Sequence, residues 1–71
     1  MFFGLDRETD ERSLAEFLQH FSDERLTKVL IPRMSEEEIN QVVDLLGIIM
    51  KNNLSENEYH SLFLHEEHHH H

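Results

Sequence analysis

Val42-Val43-Asp44-Leu45-Leu46-Gly47-Ile48-Ile49-Met50 is an almost wholly apolar run inside an acidic chain, and its reading decides the fold. Just upstream stands Ser35-Glu36-Glu37-Glu38, a serine three residues before a glutamate. That spacing is the capping box, in which the serine hydroxyl and the glutamate carboxylate each satisfy a backbone N–H at a helix start. A helix launched there carries Ile39, Val42, Val43, Leu46, Ile49 and Met50 at the i, i+3, i+4, i+7 spacing of one face. Leu45 and Ile48 widen the stripe beyond a single face. The predicted helix covers approximately 36–51, and Asn52-Asn53 is expected to end it, since asparagine tolerates the left-handed conformation.

A second box follows at once. Ser55-Glu56-Asn57-Glu58 predicts a short helix over approximately 56–64, with Tyr59, Leu62 and Phe63 turned inward and Leu54 placed as a hydrophobic staple. Upstream, Thr9 or Asp10 can cap a helix over 10–21 with Leu14, Phe17, Leu18 and Phe21 on one stripe. Ser22-Asp23 can cap another over 23–31 carrying Leu26, Val29 and Leu30. Pro32 stops that helix, and the residue before a proline is biased away from helical backbone. No strand-like alternation and no hairpin dipeptide occur. The expected fold is all-α, a small bundle of about four short helices with very short connections.

The chain has 71 residues. Residues 1–67 are expected to form a single helical domain, near the lower size limit for an independent core. The run His68–His71 reads as a terminal expression tag. Whether His65–Glu67 belong to the native chain or to the junction stays open. Six basic residues against fifteen acidic ones give a net charge of −9, which opposes contact with nucleic-acid phosphates or anionic lipid. Most carboxylates, among them Asp23, Glu24, Glu36, Glu37, Glu38 and Glu56, fall in first turns of the proposed helices. There they meet the positive end of the helix dipole.

With no cysteine, disulfides, thiolate metal sites and thiol catalysis are excluded. Met1-Phe2-Phe3-Gly4-Leu5 stops at Asp6 without a basic start or cleavage site, so no signal peptide is expected. The apolar run is far short of the roughly 20 residues that span a bilayer. A cytoplasmic protein without membrane contact is the expectation.

The stretch from Met34 to Tyr59, helix then short break then glutamate-rich helix start, superficially resembles the C-terminal half of an EF-hand protein. If Glu58 is the last residue of a twelve-residue calcium loop, Gly47, Ile49 and Lys51 take its first, third and fifth positions. Calcium needs oxygen donors there and a glycine where Asn52 stands, so calcium binding is rejected. Outside the tag the histidines are His20, His60 and His65, with neither a zinc-binding helix pattern nor a di-iron pair, so no metal and no cofactor is assigned.

Ser13, Ser22, Ser35, Ser55 and Ser61 offer hydroxyls, two of them committed to caps. Only Gly4 and Gly47 are available for a phosphate loop, so no catalytic residue is assigned and an enzyme is not expected. A helix-turn-helix would present Glu36-Glu37-Glu38 to the bases, which disfavours nucleic acid as a partner.

What survives is a protein–protein interaction module or adaptor. The apolar surface is broad and the chain small, so its own burial is poorly matched to the entropy of ordering it. Gly47 in mid-helix costs about 1 kcal/mol relative to alanine, which close approach by another helix would explain. Self-association as a helical homodimer follows, with Val42, Leu45, Leu46, Gly47, Ile48, Ile49 and Phe63 as the expected dimer or partner interface. Phe2, Phe3 and Leu5 either cover the core or form a second adhesive patch.

Two alternatives stand beside it. One is an acidic inhibitor or immunity-type protein that meets a basic enzyme, which requires Asp6, Glu8, Glu16, Asp44, Glu56 and Glu58 to converge. The other is a small transcription regulator using Arg25, Lys28 and Arg33.

Overall fold

The computed structural model describes residues 1–66. The described residues are helical with no strand, so the expected all-α class is the one observed. None of the helices is long and apolar enough to cross a membrane. The chain divides after Met34 into two units.

The first unit, Met1–Met34, holds α1 (Arg7–Phe21), α2 (Glu24–Leu30) and a single 3₁₀ turn, Ile31–Arg33. Helix α1 starts a turn earlier than Thr9 or Asp10 would have it. Its cap is Asp6, whose carboxylate accepts from the Thr9 backbone N–H at 2.8 Å and from the Thr9 hydroxyl at 3.1 Å. Asp10 is occupied otherwise: Gly4 N–H donates to it at 2.8 Å. An Arg7–Glu11 pair at 2.6 Å and i,i+4 spacing supports the extra turn.

Asp23 caps α2 by accepting from the Arg25 N–H at 2.8 Å. At the far end Ile31 keeps helical angles, φ −60° and ψ −44°, although it precedes Pro32. The chain tightens into the 3₁₀ turn instead of leaving helical space. Proline costs nothing early in such a turn, where its missing N–H has no partner to lose.

The second unit, from Ser35 onward, holds α3 (Glu36–Asn53) and α4 (Glu56–Glu58), which runs straight into a π turn, Tyr59–Phe63. Both capping boxes close reciprocally. Glu38 N–H donates to Ser35 Oγ at 3.1 Å while Ser35 N–H donates to the Glu38 carboxylate at 2.9 Å. Glu58 N–H to Ser55 Oγ at 3.1 Å and Ser55 N–H to the Glu58 carboxylate at 2.8 Å repeat this.

Helix α3 outlasts its expected end at 51. Neither Asn52 nor Asn53 turns left-handed, and His65 is the one non-glycine with positive φ among the described residues. The Asn53 side chain instead donates to the Ile49 carbonyl at 2.8 Å, capping the helix from within. Leu54, extended at φ −121° and ψ 146°, makes the exit. The fourth helix departs from the expected 56–64 segment. Only its first turn is α, and Leu64 N–H then reaches the Tyr59 carbonyl at 3.1 Å, one residue further than an α-helix would.

Ser13 is the only buried residue among the described ones, at 7% exposure, and no apolar side chain is buried. Leu62 and Phe63, expected inward, are exposed. The local geometry was therefore right at both boxes, while within each unit the apolar stripes stay uncovered.

Candidate interaction surface

Along α3 each residue turns by about 100°. On that spacing Ile39, Val42, Leu46 and Ile49 fall within about 80° of arc and form a narrow seam. Leu45 borders it on one side, Met50 and Val43 on the other. The seam residues are less exposed than Leu45 and Val43, Leu46 standing at 42% and Leu45 at 59%, while Met50 on the flank is less exposed still. Of the residues assigned to an interface from sequence, Val42, Leu45, Leu46 and Ile49 therefore share one face.

Ile48 and Gly47 do not share it. Ile48 is 58% exposed and lies about 140° round from the seam centre. Gly47 lies about 120° round, and a Cβ placed on it would meet nothing within 4 Å. Its backbone thus makes no close approach within the chain. It opens onto a shallow groove of about 460 Å³, which Met50, Lys51, Leu54 and Tyr59 help to line. Phe63, the last of the assigned residues, stacks on Tyr59 with ring centroids 5.5 Å apart and an interplanar angle of 21°.

The first unit has an apolar surface that sequence reading only half anticipated. Phe2 N–H donates to Ser13 Oγ at 3.1 Å, and with the Gly4–Asp10 bond this ties the amino-terminal segment back along α1. Gly4 turns the chain there with φ +86°, a conformation that glycine adopts without strain. The backbone is tethered but the side chains are not covered: Phe2 is 71% exposed, and Phe3 and Leu5 are exposed with it. Phe2, Phe3 and Leu5 thus do not cover a core within their unit. Phe17 and Phe21 stack on each other at 6.2 Å.

The polar groups are spent on local structure. Asp6 sits well placed as a cap, and the Thr9 backbone bond, with help from the Thr9 hydroxyl, holds its carboxyl below its ordinary 3.8. Asp23 is likewise lowered, first by the Arg25 side chain and then by the Arg25 N–H, and it raises the Arg25 guanidinium in return. Lys28 lies 3.6 Å from Glu24 and Arg12 lies 3.9 Å from Glu8. Asp6 and Glu58 thus stand at helix starts, where each accepts a backbone N–H. Two of the three cations offered for DNA contact, Arg25 and Lys28, already face acids.

The twelve residues tested as a calcium loop, Gly47 to Glu58, are helix as far as Asn53. Among the described residues no three His, Asp or Glu side chains gather as metal ligands would. His60 Nδ1 pairs with Glu66 at 2.8 Å. The terminal histidine run and Glu67 lie outside the described residues.

The comparisons add no relative. No protein-family model, curated protein or solved structure matches this chain. The functional reading therefore rests on the surface itself, above all on the uncovered seam of α3.

Proposed function

We propose that this chain is a protein–protein interaction module that acts as a homodimer, with α3 as its principal binding face. The observation that carries the reading is that no apolar side chain among the described residues is buried, while α3 presents a continuous apolar face. Isolated apolar residues on a surface need no explanation, but a continuous face of this breadth does. About half of each side chain is open, so the seven apolar residues of that face offer roughly 600 Å². A standard interface buries about 800 Å² per partner. The mechanism is apolar side chains of one helix packing against those of another.

The module is a binder of itself and of a further protein, and not a catalyst. A reducing cytoplasm suits a chain without cysteine.

Sedimentation equilibrium on protein lacking the terminal histidines tests this, with Leu45→Glu as the variant. The wild type sediments as a dimer at micromolar concentration and the variant as a monomer. A wild type that stays monomeric at high micromolar concentration overturns the homodimer.

A further inference from the structure

We infer that two copies of α3 pair antiparallel, about a two-fold axis level with Asp44. This rests on the homodimer reading above and adds its direction and register.

The first support is the symmetry of the seam. Ile39, Val42, Leu46 and Ile49 are spaced three, four and three apart, so their order reads the same from either end about position 44. A two-fold interface must be self-complementary, residue i meeting j wherever j meets i; a parallel pair also meets this with i against i, so the spacing permits the antiparallel register and the charges below decide the direction. Reversing one copy about Asp44 sets Ile39 against Ile49 of the other copy, and Val42 against Leu46. These are the mixed layers that reversed heptads form, in which a residue at one seam position meets one at the other. On the flanks Val43 falls level with Leu45, whereas Met50 falls level with Glu38. Asp44 itself lies on the far side of the helix, about 180° from the seam, so the two Asp44 carboxylates do not meet.

The second support is charge. Helix α3 begins with Glu36, Glu37 and Glu38 and carries Lys51 in its last turn. Parallel pairing would gather six glutamates at one end and align two helix dipoles. Antiparallel pairing separates the triplets and opposes the dipoles. Each Lys51 then stands level with the other copy's Glu37, but both lie about 160° from the seam centre and do not meet.

Area and occupant agree. At roughly 600 Å² a copy, the pair buries about 1,200 Å², the lower bound for a specific interface.

The chain has no cysteine, so Glu37→Cys and Lys51→Cys each accept one spin label on the side of α3 away from the seam. Sedimentation equilibrium is run first on each labelled variant, and then dipolar distances are measured in like and mixed dimers. Fourteen residues at 1.5 Å rise separate positions 37 and 51 by about 21 Å along the axis. In the antiparallel pair, the mixed Glu37→Cys/Lys51→Cys distance is shorter than both like distances, whose labels are offset by that length.

Like distances shorter than the mixed one overturn the antiparallel arrangement and leave the homodimer standing. A dimer by sedimentation with no resolvable coupling in any combination places the interface away from α3 and also overturns the inference. A monomer overturns the inference and the homodimer together.

Discussion

Replacing Leu46 by alanine separates a directed seam from general stickiness. Leu46 is 42% exposed in the free chain. Burying a leucine completely is worth about 1.5–3 kcal/mol, so closing the remaining surface contributes about 1 kcal/mol per copy. A two-fold dimer contains the residue twice, and Leu46→Ala therefore costs about 2 kcal/mol per dimer, about 30-fold in Kd. Ile48→Ala is the control. Ile48 is the more exposed of the two at 58%, yet it points away from the seam, and its loss changes Kd by less than about 2-fold.

The assay is sedimentation equilibrium across a concentration series, with far-ultraviolet circular dichroism to show that α3 is still formed. If Ile48→Ala weakens association as much as Leu46→Ala, exposure alone governs it and the seam is wrong. The reasoning fails equally if neither substitution has an effect.

The remaining expectations concern the caps. Ser35→Ala removes the acceptor for the Glu38 N–H, and Ser55→Ala does the same for Glu58; each lowers stability by about 1 kcal/mol, read as a fall in the midpoint of urea unfolding. An unchanged midpoint in both would mean that the helix starts are held by something other than the boxes. The Asp6 and Asp23 carboxyls are depressed below 3.8 in the folded chain, so the unfolded chain takes up their protons first. Their contribution is complete above the unfolded value and is lost as pH falls through the folded ones. In a pH titration by nuclear magnetic resonance, the Thr9 and Arg25 amide signals move with midpoints below 3.8, and Asp6→Asn abolishes the movement at Thr9. Midpoints above 3.8 would contradict the bonding described for both carboxylates.

Much of the local structure was legible because its causes lie within four residues. Both capping boxes need only a serine and a glutamate at fixed spacing, and both formed as read. The start of α1 was misplaced because Thr9 and Asp10 are as good caps by type as Asp6. What decides between them is that Thr9 bonds back to Asp6 with two groups while Gly4 engages Asp10. The fate of Asn53 was equally hidden, since an asparagine near a helix end can turn left-handed or bond to the carbonyl four residues back.

Of the site, the shared face of Val42, Leu46 and Ile49 followed from periodicity. Periodicity could not tell that the face would stay uncovered within its own unit, because spacing says which residues lie together and not what lies over them. The amino-terminal patch had the weakest signal. Nothing in Met1–Leu5 announces the bond from Phe2 to Ser13, eleven residues on.

The reciprocal bonds of Ser35 and Glu38 have a consequence for timing. Starting a helix is its slowest and least favourable step, because several residues must be fixed before the first bond compensates. Here the chain meets that cost with its own Ser35 and Glu38. Helix α3 therefore arrives at an encounter already wound, with its apolar edge in phase. Capture should follow simple second-order kinetics, its rate set by collision and orientation and not by a preceding folding step.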